Sequence, residues 1–365
     1  MTANVSVPAR DLLCGAVCAD VEADGWVRPS RFTKEQVKAL GSCRAWHPGL
    51  YRQMAACTAG ICLAFETDSS WVDLEVSFDR LPRDSAFMID AAKKYEGRER
   101  LLYDGVSADV DGSHLKVREP DDNDVAHFIL DNAQGASDLG MQRLFAVEAQ
   151  AHTARIWLPC LRGCRVRALS GDGSYIRPLP AQGELLVLGD SIAQGFISLD
   201  PGLTWPVLLA RKFKLDLVNQ GVGGQVFQPG SLVGLRDAVA PAKIVVELGV
   251  NYRFEPCQAL RVQAEIQTYL YEVASAWPGV PTWVITPMPH TQNVWPSHPR
   301  SCFDQVEDMI RACSSRRGGF RLVDGSQLLD TKDLLSLLID GSDHPGTKGH
   351  AQIAKKLHAA MKEKA

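Results

Sequence analysis

The sequence contains no apolar run approaching the roughly twenty residues that a membrane-spanning helix requires. Its one short apolar stretch near the N-terminus, Leu12–Val17, lacks a basic flank, so no secretory leader is legible. Charge of one sign is equally scarce, since 39 Lys and Arg against 43 Asp and Glu leave a net charge of −4. The basic residues are scattered, which excludes an electrostatic footprint for nucleic acid or an anionic membrane surface. The densest basic stretch, Lys355–Lys364, falls on a helical pattern and reads as a solvated face. No Cys-x-x-Cys pair occurs among the ten cysteines (14, 18, 43, 57, 62, 160, 164, 257, 302 and 313), so common zinc and dithiol redox centres are excluded. No internal repeat, low-complexity tract, metal-ligand spacing or cofactor motif is present. These absences predict a cytoplasmic protein with reduced thiols, mostly acting as small buried hydrophobes, and with no bound cofactor or metal.

What is present suits a soluble globular protein of two parts. A chain of 365 residues exceeds what one hydrophobic core usually serves, and 45% apolar against 22% charged residues is ordinary for a globular protein. Up to about residue 178 the pattern is β-rich. Ile61–Glu66 and Trp71–Phe78 alternate apolar and polar positions, and Phe87–Asp90, His127–Leu130, Leu144–Ala149, Thr153–Leu158 and Cys164–Leu169 are further strand candidates. Turn pairs such as Asp104-Gly105 and Asp111-Gly112 separate them, which predicts a β-sandwich; Arg31–Leu40 is a helical exception.

From Glu184 the period changes. Compact apolar strands at Leu185–Gly189, Leu215–Asn219, Lys243–Leu248, Thr282–Thr286 and Arg321–Val323 alternate with helical spacing at Gly202–Lys214, Cys257–Trp277, Arg300–Arg311 and Thr347–Lys362. That alternation predicts a parallel sheet covered on both faces. Tyr175–Gln182, with Pro178 and Pro180, is the natural boundary, dividing the chain into 1–178 and 179–365.

Four short segments in the second half carry candidate chemistry. In Leu186-Val187-Leu188-Gly189-Asp190-Ser191, a strand runs into a serine at the edge where open parallel sheets bind ligands. Position 193 is Ala, so this is not the Gly-x-Ser-x-Gly elbow, and a lone serine here is usually a helix cap. Asn219-Gln220-Gly221-Val222-Gly223-Gly224 clusters glycines whose amides can face a developing oxyanion; the plainer alternative is a turn or a phosphate cradle, though no Gly-Lys-Ser/Thr follows. Glu247-Leu248-Gly249-Val250-Asn251 ends on an amide that serves as an oxyanion donor or merely as a turn residue. Asp340-Gly341-Ser342-Asp343-His344-Pro345 places carboxylates and an imidazole on one loop, as a general base and its orienting acid require.

In this order the four segments resemble the SGNH (GDSL-type) hydrolases, whose blocks supply Ser, Gly, Asn and His. The resemblance covers about 184–365. It implies a three-layer α/β/α, flavodoxin-like domain that hydrolyses esters or thioesters without a metal, with Ser191 as nucleophile and His344 as base. It also implies an oxyanion hole from the Ser191 and Gly224 amides and the Asn251 side chain. The first half, through Thr58-Ala59-Gly60-Ile61, Phe65-Glu66-Thr67-Asp68-Ser69, Ala108-Asp109-Val110-Asp111-Gly112 and Ile156-Trp157-Leu158-Pro159, resembles the jelly-roll-like sandwich preceding the catalytic domain in some bacterial members. Several of those act on acetylated sugars.

One position departs from the family pattern. The acid normally stands three residues before the histidine, where this chain has Gly341. Asp340 is the favoured acid, Asp343 the alternative, and a Ser–His dyad completed by a backbone carbonyl a third arrangement. The Pro-rich stretch 286–300 offers Trp295 to stack on a sugar ring and His290 or His298 to hydrogen-bond to it, or simply packs its own loop. The expected function is short-chain ester hydrolysis on an acetylated carbohydrate or related small ester. The rivals are a thioesterase or lysophospholipase, and an inactive carbohydrate-binding protein. Oligomeric state is not legible.

Overall fold

A computed structural model of the chain describes residues 3–42, 49–82, 104–131, 151–253, 258–291, 300–317 and 319–363. The first half runs β1 (Val5–Pro8), β2 (Leu13–Cys14), β3 (Cys18–Val21), β4 (Val27–Ser30), α1 (Lys34–Ser42), α2 (Leu50–Ala55), β5 (Cys62–Thr67), β6 (Trp71–Phe78) and β7 (Val106–Val110). It continues through β8 (Ser113–Arg118), β9 (Val125–Ile129), β10 (His152–Trp157), β11 (Cys164–Gly171) and β12 (Ile176–Pro178). Two antiparallel sheets result, ordered β3-β4-β11-β6-β9 with β1 on β11, and β12-β5-β10-β7-β8 with β2 on β5. Alternation along the strands supplies the core between them: Val72, Leu74 and Val76 of β6 point inward, against Phe65, Ala108, Phe128, Ile156 and Val166. The expected strands at Phe87–Asp90 and Leu144–Ala149 lie outside the described residues.

The second half is built on five parallel strands, β13 (Glu184–Gly189), β14 (Asp216–Gly221), β15 (Pro241–Glu247), β16 (Thr282–Ile285) and β17 (Phe320–Val323), ordered β14-β13-β15-β16-β17. In chain order this is 2-1-3-4-5, whose switch point lies between β13 and β15. Both faces of β13 are buried: Leu185 and Val187 join one apolar layer, Leu186 and Leu188 the other. The first layer contains α4 (Trp205–Phe213) and α10 (Thr347–Glu363), and the second α6 (Ala259–Ala276) and α8 (Val306–Arg317). Cys62, Ala64 and Trp157 of the sandwich also enter the first layer, so the two halves share packing. Four shorter helices complete the set: α3 (Ser191–Gln194), α5 (Leu235–Ala238), α7 (Arg300–Phe303) and α9 (Leu334–Leu337).

Three sequence expectations need correction. Gly202–Lys214 is not one helix: a 3₁₀ turn covers Pro201–Leu203, and α4 begins at Trp205 with Pro206 in its first turn, where no backbone donor is needed. Arg300–Arg311 is likewise split, because the Gln305 side-chain amide donates to Ser301 O (2.9 Å), the carbonyl a continuing helix would give to its backbone. Reduced thiols were expected throughout, and Cys14, Cys18, Cys57, Cys62, Cys160, Cys164 and Cys313 are free. Cys302, however, is disulfide-bonded. Among the described residues no helix is long and apolar enough to cross a membrane.

Candidate active site

Ser191, His344 and Asp340 converge at the carboxyl edge of the parallel sheet. Ser191 is the first residue of α3, directly after β13, and Asp190 caps that helix by accepting the Ile192 amide at 2.9 Å. The first amides of a helix have no carbonyl behind them. With that of Ile192 taken by Asp190, the Ser191 N–H has no acceptor among the described residues. Ser191 Oγ lies 2.9 Å from His344 Nε2.

His344 sits on a hairpin closed by the Leu338–Pro345 bridge and by Ile339 N donating to His344 O. Asp340 organises its interior. One carboxylate oxygen accepts the amides of Ser342, Asp343 and His344 (2.8, 3.1 and 3.2 Å), and the other lies 2.6 Å from His344 Nδ1. This wrapping, with Gly341 at φ +67°, accommodates the extra residue between acid and histidine. Asp343 is 3.5 Å from the same nitrogen and is held instead by Arg253 Nη2 at 2.5 Å, a pair with both side chains buried. The structure therefore brings Asp340 to the imidazole and assigns Asp343 to the guanidinium.

The charges pull in opposite directions. Burial lowers the basicity of the His344 imidazole, but Asp343 and Asp340, with the Asp340 hydrogen bond, overcome it and raise its pKa to about 9. Burial raises that of Asp340, and the facing imidazole and loop amides outweigh it, holding the carboxyl well below its usual range. Asp190 is pushed up to about 7 by burial, and Glu247 beside it is raised by burial and by Asp190.

The Gly224 loop follows β14. The amides of Gly221, Val222, Gly223 and Gln225 are taken by Asn219 Oδ1, Gly189 O, Gln194 Oε1 and Val222 O at 2.8 to 3.0 Å. Gly224 is then the one residue of 221–225 whose amide has no protein acceptor among the described residues, and its φ of +79° lies in the left-handed region that favours glycine. Asn251 follows β15, and its amide is engaged: Nδ2 donates to Gln225 O (3.0 Å) and Asp190 Oδ2 (3.2 Å). It ties the two flanking loops together rather than standing open.

His290 lies beside this hairpin. Its Nδ1 is 3.1 Å from Thr291 O, and Thr291 in turn donates from its amide to Ser342 O and from its hydroxyl to Gly341 O. Burial and the nearby Arg253 depress its pKa. Trp295 and His298 lie outside the described residues. Asp340, Asp343 and His344 offer ligand atoms within 4.8 Å of one another, as a metal site would. Each is nonetheless committed, to loop amides, to Arg253 and to Ser191 respectively, and the guanidinium already supplies the positive charge.

Residues from the first half, which the sequence did not point to, reach this site. Arg31, wholly buried, donates to the carbonyls of Cys57, Met54, Asn219 and Gly221. The Gln36 side chain meets Gln220 Oε1 at 2.8 Å, and the Tyr51 hydroxyl donates to Gly224 O at 3.1 Å. Partners 170 to 190 residues apart leave no local signal.

Residues 187–352 match the model of the GDSL-like lipase/acylhydrolase family. No curated protein matches the chain by sequence. Among solved structures, the salicylyl-acyltransferase of a tetracycline biosynthetic pathway superposes with a TM-score of 0.76 at 17% identity, covering 98% of this chain and 97% of the other. A family two carbohydrate esterase from Cellvibrio japonicus gives 0.57 at 12% identity, with 99% of both chains covered. An acetyl xylan esterase from the rumen bacterium Butyrivibrio proteoclasticus gives 0.55 at 13%, covering 100% and 99%. Those coverages take in sandwich and parallel sheet together. A serine at the switch point and an imidazole within hydrogen-bonding distance both fall inside the matched region, so residues 187–352 are similar, in sequence and in the placing of these side chains, to the GDSL-like lipase/acylhydrolase family.

Proposed function

We propose that the protein hydrolyses short-chain, chiefly acetyl, esters of carbohydrate or a related small alcohol through an acyl-enzyme on Ser191. The observation that carries the reading is the continuous chain Ser191 Oγ–His344 Nε2 and His344 Nδ1–Asp340 Oδ2, at 2.9 and 2.6 Å. Ser191 Oγ attacks the ester carbonyl as His344 Nε2 takes its proton, and Asp340 holds the imidazole in the required tautomer. The oxyanion is received by the Ser191 and Gly224 amides, with Asn251 joining them by releasing Asp190. His344 returns the proton to the leaving alcohol. Water, deprotonated by the same nitrogen, then cleaves the acyl-serine to release the acid.

The acetyl preference is supported by the full-length likeness to carbohydrate esterases that carry both parts of this fold. An acyltransferase would use the same acyl-enzyme with an alcohol in place of water, and the full-length likeness to the salicylyl-acyltransferase keeps that outcome in the test. The test is a series of p-nitrophenyl esters from acetate to octanoate together with acetylated xylo-oligosaccharide, each with wild type and Ser191→Ala. The reading expects acetyl esters to turn over fastest and acetate to be released from the oligosaccharide, with all turnover lost in the variant. Preference for octanoate, or transfer to an added alcohol with no free acid, would overturn the substrate assignment. Activity surviving in Ser191→Ala would overturn the mechanism.

A further inference from the structure

We propose that Tyr51 is a positioning residue for the oxyanion hole, so that the N-terminal half completes the catalytic apparatus; this rests on the reading above. Helix α2 lies directly on the Val222–Gln225 turn. The Tyr51 hydroxyl donates to Gly224 O at 3.1 Å, while the Gln225 amide of the same peptide is held by Val222 O at 3.0 Å. One turn further along α2, Met54 packs against Gly223, where an added Cβ would stand 3.2 Å from its side chain. The Met54 carbonyl is in turn anchored by Arg31 Nη2 at 2.8 Å. Tyr51 and Met54 are both nearly inaccessible to solvent, at 1% exposure each, so Tyr51 is sealed from substrate and acts on the hole through its bond to the loop.

The reason for such a brace is conformational. Gly224 has φ +79°, and a glycine flanked by Gly223 is free to leave that state at little cost. An oxyanion donor contributes only if it is held in place before the charge develops. The two bonds on the Gly224–Gln225 peptide fix one side of Gly224. One residue earlier, the Gly223 amide donates to Gln194 Oε1 at 2.8 Å and holds the Val222–Gly223 peptide, so the turn is anchored on both sides of the Gly223–Gly224 peptide that presents the Gly224 N–H.

The test is Tyr51→Phe, which keeps the ring and removes the hydroxyl. Active sites are counted by fluorophosphonate titration, and p-nitrophenyl acetate kinetics are measured alongside inhibition by a boronic acid, whose serine adduct places an oxygen in the hole. The inference expects kcat per titrated site to fall about tenfold, KM to stay within twofold and boronate affinity to weaken in parallel with kcat. Boronate affinity within twofold of wild type overturns it, whether or not kcat changes, and so does a loss confined to the number of titratable sites or to thermal stability. Tyr51→Leu, with the same readouts, decides the matter should the phenylalanine variant fold poorly. Wild type that hydrolyses no ester through Ser191 is a different failure: it removes the functional reading, and the inference with it.

Discussion

Replacing Asp340 by asparagine separates two jobs that one carboxylate performs. Its Oδ1 accepts three loop amides at 2.8 to 3.2 Å, and its Oδ2 meets His344 Nδ1 at 2.6 Å. Asparagine can keep the first job with its carbonyl oxygen, but then turns an N–H toward Nδ1. The imidazole is driven to carry its proton on Nε2, the atom that must accept one from Ser191. Loss of the correct tautomer at such a site costs about 10⁴ in kcat. The loop bonds survive, so the melting temperature should move by only a few degrees. Asp340→Ala removes both functions. Three orphaned amides at about 0.5–1.5 kcal/mol each imply a further loss of roughly 2–4 kcal/mol in stability. The assay is p-nitrophenyl acetate hydrolysis on the alkaline plateau, normalised to titrated sites, with unfolding followed by circular dichroism. Asp340→Asn retaining activity within tenfold of wild type would refute the reasoning, because Asp343, at 3.5 Å, or a dyad would then suffice.

Three other outcomes follow from the geometry. Because the flanking aspartates overcome the effect of burial and lift His344 to about 9, the base is largely protonated at neutral pH. kcat/KM for an uncharged ester should then climb about tenfold per pH unit between 6 and 8. Asp343→Asn, which removes a charge that raises the histidine, should move that limb toward lower pH, and an unmoved limb would contradict the assignment of this titration to His344. Asn251→Ala should lower kcat about a hundredfold with little change in KM, measured on the acetate ester; a change confined to stability would mean the amide only ties Asp190 to Gln225 O. Arg31→Met leaves four buried carbonyls without their donor and should cost about 3 kcal/mol or more by denaturant unfolding, whereas an unchanged midpoint would show that those bonds contribute nothing net.

The parallel-sheet half was legible because its signals are local. Each strand of a parallel sheet is a short apolar run ending in a turn, and the four candidate segments sit at such ends, so Gly189-Asp190-Ser191 and the loop before Pro345 could be picked out from the sequence. The sandwich was read less completely. Strands as short as Leu13–Cys14 and Ile176–Pro178 hold too few residues to display a period of two, and their pairing with β5 decides them. Which aspartate serves His344 depended on how the hairpin closes and on where Arg253 lies, ninety residues away in sequence. The same holds for other histidine–aspartate pairs. His114 meets Asp109 across the β7–β8 hairpin and Asp200 of the second half, and His152 meets Asp111 forty-one residues away. The contribution of Arg31, Gln36 and Tyr51 to the Gly224 loop is invisible for that reason too, since only the packed tertiary structure places them there.

The most direct test of the account is mass spectrometry of the protein after reaction with a fluorophosphonate. The account predicts one adduct per chain, located on the peptide containing Ser191, and its near disappearance in His344→Ala under the same conditions. An adduct on any other residue, or undiminished labelling of Ser191 once the imidazole is gone, would contradict it.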